Sequence, residues 1–532
     1  AAAAEFAAAL AAPRVVSSAG RRRRRVAVAA GIAGVVLVGI AAVWHPWRRP
    51  VKAAQSEADI ASVAVLSFEN LTGNPGDQYL SDGMTEEIIG QLAQVRGLKV
   101  ISRTSTEALK GTHLTLRQIA DTLGVRHVLE GSVRHAGNRL RVAVDLIDAT
   151  TDTHVWVSKY DRDLTDVFGV QEEVARHVVD SLVSTVGGRP TLGRVARTTQ
   201  PGAYAAYQSG RYLLHRRTRE GLSGALEQFQ QAIAQDSVYA PAYAGLAFVY
   251  ELYVPYSYSG IDLYEADDRA IAMADRAIAL DSDLAEAYTA RGRTLAGAWA
   301  PAEGIEADFK RALELSPNTA DTHQWYAFFL SRQDRHDEAL AEEERAVSLD
   351  PLAPGVHTGF ANMALAARRY DVAAREAGRA AALEPGLAKA REQQAVADLL
   401  SGEADRCATL NLGPNVGVRA MCLHSLGRVR EAVQLADSLR AAFTAGTVGD
   451  SLYSPVIAAR GLAQYYGWTG NVEQSIAWLD RAYALSPEGE NFQVIDSGIY
   501  DKVRNDPRFQ AELQRIRTQI YNRVRRAKIN SG

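Results

Sequence analysis

The phrase KRALELSP at residues 310–317 has three close counterparts: DRAIALDS at 275–282, ERAVSLDP at 344–351 and GRAAALEP at 378–385. The alanine in third place is therefore Ala277, Ala312, Ala346 and Ala380, at spacings of 35, 34 and 34 residues. A fifth copy, DRAYALSP at 480–487, continues the same register. Small residues at a fixed period predict closely packed pairs of helices, and a proline after the second helix ends it because proline cannot donate the backbone hydrogen bond.

A period of 34 residues resembles that of tetratricopeptide repeats, in which each unit is a helical hairpin. In the unit at 320–353, Ala327 is the small residue of the first helix, Ala339 and Ala346 are those of the second, and Pro351 is the helix stop. We count about eight units over residues 206–489 and expect a C-terminal capping helix within 490–532. One hairpin cannot bury its apolar face alone, so the units are expected to stack into an α-solenoid that binds a protein or peptide.

Residues 61–186 have a different pattern, in which short β-branched runs alternate with helical periodicity. The runs predict strands at 62–68, 99–102, 126–134, 139–147 and 153–160, and apolar spacing predicts helices at 78–95, 115–123 and 166–183. The order β-α-β-α-β-β-β-α predicts a small α/β domain with helices packed on a mixed sheet. The predicted fold class is thus α/β plus all-α.

Three strings in this region carry a family resemblance: AVLSFENLTGNPGDQYLSDGMTEEIIGQLAQVRGLKVISRTS from Ala64, LGVRHVLEGSVRHAGNRLRVAVDLIDATTDTHVW from Leu123, and YDRDLTDVFGVQEEVA from Tyr160. They resemble the TolB-like amino-terminal domain found in many bacterial signalling proteins. In such proteins the domain follows a membrane span and precedes tetratricopeptide repeats. The family has no established enzymatic activity, so the resemblance implies an architecture and not a reaction.

The N-terminal region predicts a membrane span. Five arginines, Arg21 to Arg25, precede nineteen residues without charge, Val26 to Trp44, which is the length of a transmembrane helix. Basic residues are more numerous before the span than after it, so the N-terminus is expected in the cytoplasm. A cleavable signal peptide is the alternative. We expect a stub at 1–25, the span at 26–44, linkers at 45–60 and 187–205, and a periplasmic body in a single-pass inner-membrane protein.

The stub itself resembles part of another family. The string AAAAEFAAAL at residues 1–10 is similar to the last helix of bacterial Hanks-type serine/threonine kinases, through Ala4, Glu5, Phe6, Ala9 and Leu10. The first residue is Ala rather than Met, so we expect the chain to be the regulatory part of a longer receptor kinase. A winged-helix transcriptional regulator or a nucleotide cyclase in place of the kinase, or a stand-alone envelope scaffold, is the alternative.

Composition and motifs argue against several classes of function. The net charge is −3 with 23% charged residues, which gives no basic excess for nucleic acid. No phosphate-binding Gly-Lys loop, His-Glu-x-x-His helix or Gly-x-Ser-x-Gly elbow occurs, so we expect no catalysis, cofactor or metal site in this chain. The acid pairs at 86–87 and 342–344 are interpreted as solvated helix faces. Cys407 and Cys422 are expected to be buried thiols, although an extracytoplasmic body would permit one bond between them.

Two groups of residues are candidates for contact with a ligand or partner. The second repeat unit carries an insertion rich in tyrosine: Tyr250, Tyr253, Tyr256, Tyr258 and Tyr264. Exposed tyrosines favour a partner contact, whereas packing on the rim of the first hairpins is the alternative. In the α/β domain, the loop after the first strand gathers Asn70, Asn74, Asp77 and Asp82, which could bind a small ligand or could simply cap a turn.

Overall fold

The computed structural model describes residues 61–74, 78–137, 139–163, 166–182, 200–215, 218–253, 263–297, 302–413, 415–445, 455–485 and 497–530. These residues belong to one compact unit. The predicted stub, span and first linker at 1–60 lie outside the described residues, and so does most of the second linker.

The α/β domain is built on a mixed sheet. Its strands are β1 (Ala61–Val65), β2 (Glu69–Asn70), β3 (Leu98–Val100), β4 (His127–Ala136), β5 (Arg139–Asp148) and β6 (Thr153–Asp163). The spatial order is β3-β1-β4-β5-β6, in which β1 runs parallel to β3 and β4, while β4, β5 and β6 are antiparallel. The short β2 pairs with β4 beside this path. The five predicted strands are therefore present, and β2 is an addition.

Four helices accompany the sheet: α1 (Gln78–Ala93), α2 (Arg103–Glu107), α3 (Leu116–Leu123) and α4 (Val167–Leu182). Helices α1 and α4 cover one face, where Met84 and Val174 pack against Leu129 and Val142. Helix α3 begins with a capping box from Thr115 and ends at Gly124, whose φ of 63° suits glycine. Helix α2 has five residues, too few for a periodic apolar pattern, and the sequence did not predict it.

The remainder of the described chain is helical and forms eight successive pairs. The pairs are α5 (Pro201–His215) with α6 (Arg219–Gln235), α7 (Ala240–Tyr253) with α8 (Leu263–Leu280), α9 (Ala285–Gly297) with α10 (Ala302–Leu315), α11 (Ala320–Arg332) with α12 (His336–Leu349), α13 (Pro354–Ala366) with α14 (Tyr370–Leu383), α15 (Ala388–Leu400) with α16 (Ala404–Thr409), α17 (Val416–Ser425) with α18 (Val429–Thr444), and α19 (Pro455–Thr469) with α20 (Val472–Leu485). A short 3-10 turn, α21 (Asp501–Arg504) and α22 (Pro507–Asn530) follow.

The small residues at the repeat period are where the helices meet. Ala277, Ala312, Ala346 and Ala380 each have no exposed surface. Each second helix packs on its own first helix and on the first helix of the next pair. The first helices of successive pairs also contact one another from α5 through to α19, so they form the inner layer of the solenoid. The chain is therefore a tetratricopeptide repeat protein with a small α/β domain.

The two cysteines are bonded to each other. Cys407 of α16 and Cys422 of α17 form a disulfide, and both residues are fully buried in the core of the last repeats. The expectation of two buried thiols was therefore correct for burial and wrong for the bond. The spacing of 15 residues gave no indication that a helical turn would bring the two side chains together.

The localisation predicted from the sequence is corrected by the described helices. Within the described ranges, no helix is both long enough and apolar enough to cross a bilayer. The two longest, α8 and α22, carry charges along their length, such as Asp267 and Arg269 in the first and Arg508 and Arg515 in the second. The predicted span at 26–44 lies outside the described residues, and we make no assignment to the inner membrane.

Candidate functional site

The inner layer of the solenoid places an arginine between aromatic rings of three neighbouring first helices. Arg293 of α9 donates hydrogen bonds of 2.9 Å to Glu251 of α7 and to Asp321 of α11. Its guanidinium carbon lies 4.3 Å from the ring centroid of Trp325 and 5.5 Å from that of Phe248. Burial opposes the charge of Arg293, but the Asp321 and Glu251 carboxylates raise its pKa. Arg293 therefore joins three hairpins through charge and ring contacts.

The aromatic surface continues along α11. The rings of Trp325 and Phe328 meet edge to face at a centroid distance of 5.5 Å, and both are partly exposed. The guanidinium of Arg332 lies 5.5 Å from the Phe328 ring and donates a 2.6 Å hydrogen bond to the Ala296 carbonyl. Burial, together with the nearby charge of Arg517, lowers the pKa of Arg332. We call the partly exposed Phe248, Trp325 and Phe328, with Arg293, the inner aromatic row.

The α/β domain docks on the loops that enter the first helices of the repeats. Asn318, just before α11, donates from its side chain to the carbonyls of Ala93 and Val95 at 3.1 and 2.9 Å, and from its backbone to Ala93 at 3.2 Å. Arg96 donates to the carbonyl of Glu314 at 3.2 Å. Asn318 therefore satisfies carbonyls at the C-terminal end of α1, which would otherwise be without intrahelical partners.

A second docking contact joins α2 to the loop between α12 and α13. The hydroxyl of Ser105 donates to Asp350 at 2.5 Å and accepts from the backbone of Leu352 at 2.9 Å. The backbone of Ser102 donates to the carbonyl of Leu349 at 2.8 Å. Burial raises the pKa of Asp350, against the hydrogen bonds from Ser105 and its neighbours at the start of α2.

A buried ionic network forms the third contact, between α1 and α5. Glu86 accepts from Arg103 of α2 at 2.9 Å, from His215 of α5 at 2.8 Å and from Arg211 of α5, which also donates to Glu87 at 2.9 Å. Burial alone would raise the pKa of Glu86, but Arg211 and His215 hold it well below its usual value. The interpretation of Glu86 and Glu87 as a solvated face was wrong, because a second domain packs against that face of α1.

The predicted ligand loop is a locally capped turn in its described part. The side-chain oxygen of Asn70 accepts from the backbone of Thr72 at 2.9 Å, and its amide donates to the carbonyl of Asn74 at 3.1 Å. Asp77 lies outside the described residues. Asp82 is buried within α1 and faces α2 instead of the loop. The structure therefore does not bring these four residues together at one site.

The tyrosine-rich insertion is described only at its start. Tyr250 is 7% exposed and packs with Phe229 and Leu246 in the core of the first hairpins. The guanidinium of Arg269 lies 5.6 Å from the Tyr250 ring. Tyr256 and Tyr258, and the side chains of Tyr253 and Tyr264, lie outside the described part. The environment of Tyr250 is that of a core residue.

Residues that could bind a metal ion do not cluster in the described ranges. No group of three or more His, Cys, Asp or Glu side chains has the geometry of a metal site there. The inner aromatic row was missed from the sequence because its members lie 32 to 45 residues apart, on different hairpins. The signal that could have found it is the repeat register itself, which places the row on the first helices.

Comparisons with known proteins match parts of the chain. The model of the HilA/YgeH-like transcriptional regulator second domain matches residues 59–176, which is the α/β domain up to the middle of α4. Putative adenylate cyclase 3 of Rhizobium meliloti (strain 1021) is 39% identical over 189 residues, or 35% of this chain and 32% of the cyclase. Protein O-mannosyl-transferase Tmtc1 of Drosophila melanogaster is 42% identical over 64 residues, or 12% of this chain and 8% of the transferase. The chain thus spans a third or less of these relatives.

Solved structures with repeated helices are also similar. YrrB, described as a TPR protein with an unusual peptide-binding site, is 20% identical with a TM-score of 0.29, covering 38% of this chain and 99% of YrrB. A tetratricopeptide repeat protein from Parabacteroides merdae ATCC 43184 is 11% identical with a TM-score of 0.33, covering 58% of this chain and 99% of that protein. The assignment to tetratricopeptide repeats rests on the chain's own hairpins and their period.

Proposed function

We propose that this chain is a non-catalytic sensing module of a signal-transduction protein, which takes up a protein or peptide on the inner face of its repeats. The observation that carries this proposal is the inner aromatic row. Partly exposed Trp and Phe side chains beside a fixed arginine form the kind of surface on which binding energy concentrates. Tetratricopeptide hairpins offer such a surface along several successive units.

The docked α/β domain supports a regulatory role for the module. Its contacts with the repeats run from α5 to the loop before α13 and include buried charges and backbone hydrogen bonds. A ligand that changes the position of the α/β domain would therefore change the entry loops of several first helices. This is a physical route by which binding in one part is transmitted to the other.

The output domain that the module regulates belongs to one of three classes left open by the sequence: a serine/threonine kinase, a transcriptional regulator or a nucleotide cyclase. The kinase rests on residues 4–10, which lie outside the described part. The 39% identity to a putative adenylate cyclase favours a cyclase regulator as the second candidate function. The match to a transcriptional regulator domain favours the third class in the same way.

A capture experiment with matched variants tests the partner surface. The full chain is immobilised and exposed to host extract, and retained proteins are identified for wild type, Trp325→Ser, Phe328→Ser and Val433→Ser. Val433 is an exposed apolar residue on the second helix α18, so its variant controls for nonspecific adhesion. We expect a protein retained by wild type and by Val433→Ser and lost with both inner-row variants. Equal retention by all four chains would show that the inner aromatic row is not the binding surface.

A further inference from the structure

A cavity of about 810 Å³ lies in the α/β domain, and all of its lining comes from residues 66–159. It is separate from the inner aromatic row, which belongs to α7, α9 and α11. Its volume is within the range of small-molecule sites. The cavity forms between the sheet and the connection from α2 to α3.

The sheet leaves this side open because only part of its second face is covered. Side chains alternate across a strand, so Leu129 and Val144 point towards α1 and α4, whereas Glu130 and Asp145 point to the other side. Helix α3 packs over β1 and the start of β4 on that side, through Ile119 and neighbouring residues. The outer strands β5 and β6 extend beyond this cover and form the floor of the cavity.

Two carboxylates face each other on this floor. Glu130 of β4 and Asp145 of β5 are directly opposite in the antiparallel register. Like charges in that position destabilise a sheet unless something neutralises them. Asp145 lies 2.8 Å from Nδ1 of His154, whereas no hydrogen bond or ion pair to Glu130 occurs among the described residues. Burial and the neighbouring Asp145 raise the pKa of Glu130.

The rest of the lining supplies a positive charge and apolar surface. Lys159 of β6 lies beside Ala143, one pair away from the two carboxylates, and has no carboxylate partner among the described ion pairs. Leu114 and Val157, which also line the cavity, are 40% and 56% exposed. Large apolar side chains that line a cavity and face solvent are available for a ligand to cover.

We propose that this cavity binds a small amphoteric ligand, a free apolar amino acid or a short peptide with free termini. Its ammonium group neutralises Glu130 and Asp145, its carboxylate lies towards Lys159, and its apolar side chain covers Leu114 and Val157. The three chemical features of the lining match the three of the ligand. The site is independent of the partner surface on the repeats, so either proposal stands if the other fails.

Titration calorimetry on the full chain at neutral pH tests this site with Leu-Leu as the probe. N-acetyl-Leu-Leu lacks the positive charge, Leu-Leu amide lacks the negative charge and Gly-Gly lacks the apolar side chains. We expect saturable binding of Leu-Leu or of free leucine, weakened about tenfold or more in the analogue that lacks each feature. Binding of leucine alone assigns the site to free amino acids, and binding of Leu-Leu alone assigns it to peptides.

Two variants and a control locate the binding. Glu130→Gln and Lys159→Gln remove the two charges at nearly constant volume, and Asp121→Asn changes an exposed acid of α3 away from the cavity. Since Glu130→Gln relieves a like-charge pair, its melting temperature should not fall, which separates loss of binding from loss of folding. We expect both cavity variants to weaken binding about tenfold and Asp121→Asn to leave it unchanged. No saturable binding of either probe, or equal binding by the cavity variants and the control, would overturn the proposal.

Discussion

Nδ1 of His357 lies 2.8 Å from Oε2 of Glu376, and both side chains are only 2% exposed. Nε2 of the same ring lies 2.9 Å from the carbonyl of Pro351, so both ring nitrogens face oxygen acceptors. One repeat earlier, His323 has the same two contacts, with Glu342 and with the carbonyl of Pro317. Each histidine of the pair therefore joins the two helices of its hairpin to the loop that precedes them.

Replacing His357 should destabilise the fifth hairpin. In His357→Phe the Glu376 carboxylate loses its buried partner, and the Pro351 carbonyl loses a donor. We expect the free energy of unfolding at neutral pH to fall by about 2–4 kcal/mol, measured by urea denaturation. His113→Phe, at an exposed position of the α/β domain, is the control and should change little. A loss as small as that of the control would contradict the clamp.

The same pair predicts a pH dependence. Burial alone would raise the pKa of Glu376, but hydrogen bonds from His357 and Arg375 hold it below its usual value. Because a lowered pKa favours the folded state when the carboxyl is ionised, this contribution is present above the unfolded pKa of about 4.3 and is lost as the pH falls through the folded value. Unfolding measured from pH 7 down to pH 3 should show a steeper loss in wild type than in His357→Phe. Parallel curves would contradict this assignment.

Glu343 is the reverse case, a carboxyl that weakens the fold. It has no exposed surface and no hydrogen-bond partner among the described residues, and burial raises its pKa well above the usual value. Phe309 occupies the same place one repeat earlier, 34 residues before, and is also fully buried. The position therefore requires an apolar side chain for packing.

We expect Glu343→Met to raise the free energy of unfolding at pH 7 by about 1–3 kcal/mol. The raised pKa means that the folded state prefers the protonated carboxyl, so wild type loses stability as the pH rises above the unfolded value. The gain in Glu343→Met should therefore increase from pH 4 to pH 8. Glu344→Met, on the exposed side of α12, should show neither the gain nor its pH dependence. Destabilisation of Glu343→Met at pH 7 would mean that the carboxyl has a stabilising partner.

The docking of the α/β domain should depend on Ser105. Ser105→Ala removes one hydrogen bond to the buried Asp350 and one from the backbone of Leu352. We expect faster hydrogen–deuterium exchange in α2 and at the amide of Leu352, corresponding to about 2–3 kcal/mol of lost protection. Ser401→Ala, at an exposed helix end in the repeats, is the matched control. Unchanged exchange at both places would show that the domain is held by its other contacts.

The repeats could be predicted from the sequence because their signal is local and periodic. Ala312, Ala346 and Ala380 must be small for two helices to approach, and Pro351 and Pro385 follow the second helix at a fixed offset. The order of strands and helices in the α/β domain was predictable for the same reason. Helix α2 and strand β2 were too short to show a period.

Contacts between distant parts of the chain could not be predicted from local patterns. Glu86 lies on a helix with apolar periodicity, but its burial depends on Arg211, 125 residues further along. Glu343 has the sequence environment of a solvated acid because its neighbours are glutamates, yet the repeat register places it inside. Arg293 and Trp325 become neighbours only when successive hairpins stack.

Site-directed photocrosslinking is the most direct test of partner binding on the inner face of the repeats. A benzoylphenylalanine residue replaces Phe328, on the inner aromatic row, or Val433, exposed on a second helix, in the full chain produced in its host. The account predicts a discrete crosslinked adduct with another protein from position 328 and none from position 433. Adducts of equal yield from both positions, or none from position 328, would contradict it.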